Sequence, residues 1–287
     1  MRVHGDAAPE VELVVVPYDT ARRGWRSGAG PEHLLGAGLV AHLTDMGHRV
    51  RIRVIEPDPT LPLAEIATAF ELMRRVSAAV RTAHEAGRFP LVLGGNCNLA
   101  VGTLSGLSPA CAATFWFDAH GDCNTPETTT SGFLDGTGLA TALGLCWRGL
   151  AATVPGHRPA RPDTTFLLGA RHLDPAEAML IEVHGISTVP GSRIAEALPT
   201  LLDAAPLQDC LGYVHLDLDV PDPETVGRAN ALPVPGGLSV ELLTGTIESI
   251  RARLPLGAAT LASYAPEFDE QGVVCRAAFA AIDAILA

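Results

Sequence analysis

A chain of 287 residues, 47% of them apolar, is long enough to bury a large core, as one large α/β domain or two small ones. Its formal charge of −12 argues against nucleic acid or an anionic membrane surface as a partner, because both are bound through basic patches. No apolar run approaches the roughly 20 residues of a membrane-spanning helix, and the polar start Met1–Glu12 lacks the hydrophobic region of a signal peptide, so a cytoplasmic protein is expected. The six cysteines (Cys97, Cys111, Cys123, Cys146, Cys210, Cys275) form no CxxC pair and no short secreted framework, and buried reduced thiols are expected.

In chain order, short apolar, β-branched runs alternate with helical patterns. Glu12–Val16 and Arg49–Ile55 read as buried strands. Ala64–Ala86 is the clearest helix, with Ile66, Phe70, Met73, Val80 and Ala83 near a 3.6 period and Gly87 placed to end it. Strands Pro90–Leu93, Thr114–Phe117 and Thr165–Leu168 follow, the last two separated in part by a Pro- and Arg-rich surface loop at Gly156–Asp163. Helices are then expected at Asp174–Val183 and Ser192–Ala204, a strand at Tyr213–Leu218, a helix at Ser239–Arg251, a strand at Ala258–Ser263 and a helix at Gln271–Leu286. Such alternation implies one domain over residues 1–287, a three-layer sandwich with a mostly parallel sheet covered by helices on both faces.

Ligands of such sheets sit beyond the carboxyl ends of the strands. Four strands run there into Gly-rich or acidic sequence: Leu93 into GGNCN, Phe117 into DAHGD, Leu168 into GARHLD and Leu216 into DLDVPD. Asp118, His120 and Asp122 alternate along an extended segment and are expected on one face. Asp217 and Asp219 repeat the pattern. Two carboxylates and an imidazole converging in this way would need a cation between them, and oxygen-rich ligation with one imidazole suits Mn²⁺, with Fe²⁺, Co²⁺ or Zn²⁺ as other divalent candidates. Five or six ligands exceed one tetrahedral ion and suggest two. The plainer reading is a set of solvated loop acids, or a structural Ca²⁺ or Mg²⁺ site.

The stretch Phe117–Ser131, FDAHGDCNTPETTTS, closely resembles the DAHxDxNTPxTTxSG signature of the arginase/agmatinase (ureohydrolase) superfamily, and His215–Pro223, HLDLDVPDP, resembles its DxDxxDP segment. GAGPEHL at Gly28–Leu34, LGGNCNLA at Leu93–Ala100, GARHLDPAE at Gly169–Glu177 and the PGGLS turn at Pro235–Ser239 are similar to further segments of that family. The resemblance implies two Mn²⁺ ions bridged by Asp118 and Asp217. His120 and Asp219 would complete one ion's shell, Asp122 and Cys97 the other's, and a hydroxide between the ions would attack a guanidine-type carbon. It also implies a small-molecule substrate and a homo-oligomer, a trimer or hexamer.

Four positions depart from the family pattern. Cys97 stands where a His ligand is usual; it reads as a thiolate ligand, an inert buried thiol or a nucleophile. Asp135 stands where arginases carry a proton-shuttling His; with an ordinary pKa of about 4 it would be a poorer proton donor, or only a loop acid. Ser263, in SYAP, replaces a Glu that grips the guanidinium, and Leu232 replaces a hydroxyl-bearing residue. At the other end of the substrate the pattern is kept: Asn124 and Ser131 align with groups that hold an α-carboxylate, Asp174 with an acid that receives the α-amino group. Each has a bland reading, turn closure for the first two and a helix N-cap for Asp174. An amino-acid end that matches and a guanidinium grip that does not point to a less basic head group. Nω-hydroxy-L-arginine, giving ornithine and hydroxyurea, is the leading substrate, as in the hydroxy-arginine branch that a thiolate ligand also resembles. A plain guanidino-acid or agmatine hydrolase is the alternative within the enzyme class, and an inactive binding subunit the alternative outside it.

Overall fold

A computed structural model describes residues 8–19, 21–60 and 64–287; residues 1–7 of the polar start lie outside the described residues. The chain opens with β1 (Val11–Val16), a hairpin of β2 (Tyr18–Asp19) and β3 (Arg22–Arg23), then α1 (Gly30–Gly36), α2 (Leu39–Asp45), β4 (Val50–Val54) and α3 (Glu65–Glu85). It continues through β5 (Phe89–Gly94), α4 (Ala100–Leu107), β6 (Ala112–Phe117), α5 (Gly138–Ala142), α6 (Arg148–Ala151), β7 (Thr165–Leu168) and α7 (Pro175–His184). The last part is β8 (Ser187–Val189), α8 (Ile194–Ala204), β9 (Leu211–Asp217), α9 (Val240–Arg251), β10 (Leu256–Ala262) and α10 (Val273–Leu286).

Eight strands make one sheet in the order β4-β1-β5-β10-β9-β6-β7-β8, and its described pairings are parallel. Strand alternation sends Val11, Leu13 and Val15 to one face, whose core layer also holds Leu39 of α2, Leu198 of α8, Ile247 of α9 and Ile282 of α10. Val14, Val16 and Val92 face the other layer, packed by Phe70, Met73 and Val76 of α3, Val101 of α4 and Leu139 of α5. This is the expected three-layer arrangement. The site follows from the strand order: the chain leaves β5, crosses to β6, and later inserts β10 and β9 between them, so the carboxyl ends of β5, β10, β9 and β6 lie side by side.

Several expectations change. Arg49–Ile55 was expected to be a buried strand, yet among the described residues β4 is the edge of the sheet, paired with β1, and Arg51, Ile52, Arg53 and Val54 are exposed. Ile66 is likewise exposed, although α3 otherwise buries the predicted stripe and is followed by Gly87 at φ 70°. Helix α4 escapes the periodic reading because all eight of its residues are buried and no polar face contrasts with an apolar one. It lies so close to α3 that a Cβ on Gly102 would meet the Met73 carbonyl oxygen at 2.6 Å. Cys111 and Cys210, expected as thiols, are joined in a disulfide with Cα atoms 4.5 Å apart. They directly precede β6 and β9, whose register begins Ala112↔Leu211, so neighbouring strands carry them to the same place from 99 residues apart. The pairing removes cysteine usage as an argument for a reducing compartment. The other four cysteines are free and buried. Among the described residues, no helix is long and apolar enough to cross a membrane.

Candidate metal centre

Each acidic motif begins on the last residue of a strand or the residue after it, and each turns immediately. Asp118 accepts a hydrogen bond from the His120 N–H at 2.7 Å, and Asp217 accepts one from the Asp219 N–H at 2.8 Å. A side-chain carboxylate bonding the backbone two residues on is an Asx turn, which gives the D-x-[HD] spacing its physical meaning. The expectation that Asp118–Asp122 stays extended is therefore corrected. The segment bends after β6, and Asp122 lies in the left-handed region at φ 49°. Convergence of the three side chains comes from turns, not from strand alternation.

Cys97 arrives from β5 through Gly95, where a Cβ would meet the Tyr18 carbonyl oxygen at 2.3 Å and the Gly28 nitrogen at 2.8 Å. Its Sγ lies 3.1 Å from Asp217 Oδ2 and 3.2 Å from Ser263 Oγ, with Ser263 held at φ 63° just beyond β10. Two groups of possible ligand atoms result, each within 4.8 Å of one another: Cys97, Asp118, Asp122 and His215 in one, Asp118, His120 and Asp219 in the other. Asp118 belongs to both. His120 Nδ1 lies 3.2 Å from Asp219 Oδ2 and 3.4 Å from Asp118 Oδ1. Two buried atoms here, Asp122 Oδ2 and His215 Nε2, have no hydrogen-bond partner.

Burial, reinforced by neighbouring carboxylates, pushes Asp122 and Asp217 well above the usual carboxylate range and the Cys97 thiol above the usual thiol range. Burial works against a charged His120, but Asp118 and Asp219 hold its imidazolium and raise it to about 12. Burial also raises Asp219, yet His120, with hydrogen bonds from Asn230 and the Ala119 N–H, offsets this and leaves it below the usual range. His215 is pushed down to about 3 by burial and is a neutral imidazole. A nest of carboxylates and a thiol whose charges are this costly, with two unpartnered buried atoms among its residues, fits divalent cations, which would replace protons on these groups. The donor set suits two ions sharing Asp118.

The remaining candidates lie around this nest. Asp135 is buried and accepts from the Asn98 N–H and from Asn96 Nδ2, both at 3.0 Å. Burial outweighs these bonds and raises it to about 7, which reverses the expectation of a weak proton donor near 4. Asn124 donates to Asp174 at 3.1 Å and accepts from Thr128. Asp174 is also the N-cap of α7, in a capping box with Glu177. Ser131 is exposed and accepts from the Phe133 N–H, closing a turn. Leu232 is 57% exposed.

Two residues were not anticipated. His215 lay in a quoted motif but was read only as strand, although a period of two puts it on the face of Asp217. Asn230 donates to Asp219 Oδ2 at 3.2 Å and to the Ser263 carbonyl at 3.3 Å, and nothing local in its loop sequence signals that role.

The family model for the arginase family matches residues 9–287. The arginase of Bacillus subtilis is 31% identical over 249 residues, covering 80% of this chain and 81% of its own length. The arginase of Brevibacillus brevis is 30% identical over 295 residues, covering 96% and 97%. Among solved structures, the arginase of Bacillus caldovelox superposes with a TM-score of 0.86 at 25% identity, covering 97% of this chain and 98% of that one. The chain therefore belongs to the arginase family of hydrolases that act on C–N bonds of amidine-type groups.

Proposed function

We propose that this chain is a two-metal hydrolase that removes a guanidino or N-hydroxyguanidino group from an amino-acid-like small molecule, with Nω-hydroxy-L-arginine, cleaved with water to L-ornithine and hydroxyurea, as the leading substrate. The observation that carries the reading is the pair of ligand groups sharing Asp118, with the orphaned Asp122 Oδ2 between neighbouring acids. Two Mn²⁺ ions, or other divalent ions, are the expected occupants and would supply Lewis acidity and an acidified water. Asp118 and Asp217 would be shared ligands, His120 and Asp219 would serve one ion, and Cys97 and Asp122 the other.

The protein's own groups support the substrate choice. Ser263 presents a hydroxyl beside Cys97, which can pair with a neutral N–H or N–OH but cannot balance a guanidinium. Asp135 is a buried carboxyl beside the site, raised to about 7 in the metal-free protein, and so a candidate proton carrier. The hydrogen-bonded Asn124 and Asp174 set an amide beside a carboxylate, a pair suited to the zwitterionic end of an amino acid, with Ser131 as a further hydroxyl. A second reading, plain L-arginine hydrolysis, is favoured by relatives named arginase. Elemental analysis after Mn²⁺ loading, expected at about two ions per chain, combined with kcat/KM on a panel of guanidines, separates the readings. Metal content near zero would overturn the hydrolase proposal.

A further inference from the structure

We infer that His215 is itself a metal ligand, through Nε2, for the ion on the Cys97 side. This rests on the two-metal reading and adds to it a residue that the motif comparison does not assign. Strand β9 alternates Tyr213, His215 and Asp217 onto one face, and its register with β6 sets His215 directly beside Trp116. The imidazole is fully buried and stacks on the Trp116 indole at a centroid distance of 3.7 Å, which fixes the plane of the ring. Its Nδ1 faces the Tyr213 hydroxyl at 3.5 Å. With the Nδ1 proton given to that oxygen, the Nε2 lone pair is left free, the tautomer a metal requires.

Nε2 has no hydrogen-bond partner, and a ring nitrogen of His215 lies within 4.8 Å of ligand atoms of Cys97, Asp118 and Asp122. Asp122 Oδ2 is also orphaned, yet the two do not bond to one another. Leaving such groups buried and unpaired is costly, and an apolar side chain on this face of β9 would avoid the cost. Ligand atoms about 2.1 Å from one ion lie roughly 3–4 Å apart, the separation that this arrangement permits. On binding, the Cys97 thiol gives its proton to solvent and Nε2 contributes its lone pair. The residues around that ion would then offer sulfur, nitrogen and the carboxylates of Asp118, Asp122 and Asp217, with an imidazole reaching it from β9 and a thiol from the turn after β5.

Pulsed electron paramagnetic resonance on Mn²⁺-loaded protein, unlabelled and labelled with ¹⁵N-histidine, reads coordinated imidazole directly. Nitrogen coupling is expected to persist in His120→Ala and to fall by one imidazole in His215→Gln. The His215→Gln variant should also bind one of its two ions at least about 10-fold more weakly. Coupling that vanishes in His120→Ala while the Cys97-side ion stays bound, or that is unchanged in His215→Gln, overturns the inference and leaves the two-metal reading intact. If His120→Ala does not fold, the comparison of wild type with His215→Gln decides alone. No Mn²⁺ bound by the wild type sinks both.

Discussion

Glu12 and Asp217 meet the same difficulty at opposite ends of the molecule and resolve it differently. Glu12 is 2% exposed near the start of β1, and it accepts from Arg53 Nε and Arg88 Nε, each at 2.7 Å. Burial opposes its charge, but the two guanidiniums hold it below the usual range. Asp217 is 5% exposed, and its carboxylate is met by the Asp219 N–H and the Cys97 thiol, with Asp118 and Asp219 as charged neighbours. Its carboxyl is driven up instead. A buried acid with its own cation is part of the scaffold; a buried acid left to others of its kind marks a candidate cation site.

The largest expected effect of testing this contrast is at Asp217. Asp217→Ala should remove metal binding and lower kcat/KM by at least about 1000-fold, roughly 4 kcal/mol, whereas Glu12→Gln should leave metal content unchanged. Retention of both ions by Asp217→Ala would contradict the shared-ligand role. Next is the head group. We expect kcat/KM for Nω-hydroxy-L-arginine to exceed that for L-arginine by at least about 100-fold, or about 2.7 kcal/mol of discrimination. Ser263→Glu should narrow the gap by improving arginine. Equal rates on both substrates would refute this account of Ser263.

The two regions should also answer pH with opposite signs. In the metal-free protein Asp135 lies near 7, against an ordinary 3.8, so the folded state holds a proton that the unfolded chain releases. That contribution is fully present below about pH 4 and is lost as pH rises through about 7; Asp122 and Asp217 act in the same direction. Glu12 is shifted downward, and its contribution is present above its ordinary 4.5 and lost as pH falls through its lower folded value. Thermal melts of metal-free protein should therefore show Tm falling between about pH 5 and pH 8, with a shallower fall in Asp135→Asn and after Mn²⁺ loading. A Tm that rises steadily over that range would count against the raised carboxyls. The smallest effect is Glu12→Gln itself, a loss of about 2 kcal/mol in urea unfolding, moderated because Arg53 can turn to solvent.

The chain's own periodicities and motifs determine a good deal. Val11–Val16, Thr165–Leu168 and the buried stripe of α3 announce a parallel sheet between helices, because apolar period is a local property that survives into the fold. Asp118, His120, Asp122, Asp217 and Asp219 announce a candidate cation site, because carboxylates at such spacing repel one another when charged. Tertiary structure alone decided the rest. Sheet order made β4 an edge and exposed Ile52 and Val54, and it joined Cys111 to Cys210 across 99 residues. The insertion of β10 and β9 between β5 and β6 brought Ser263 to Cys97 and His215 to Asp122, and a loop laid Asn230 on Asp219. The same packing raised Asp135 to about 7. Desolvation and neighbouring charge depend on everything around a side chain, and most of what surrounds these residues comes from distant parts of the sequence.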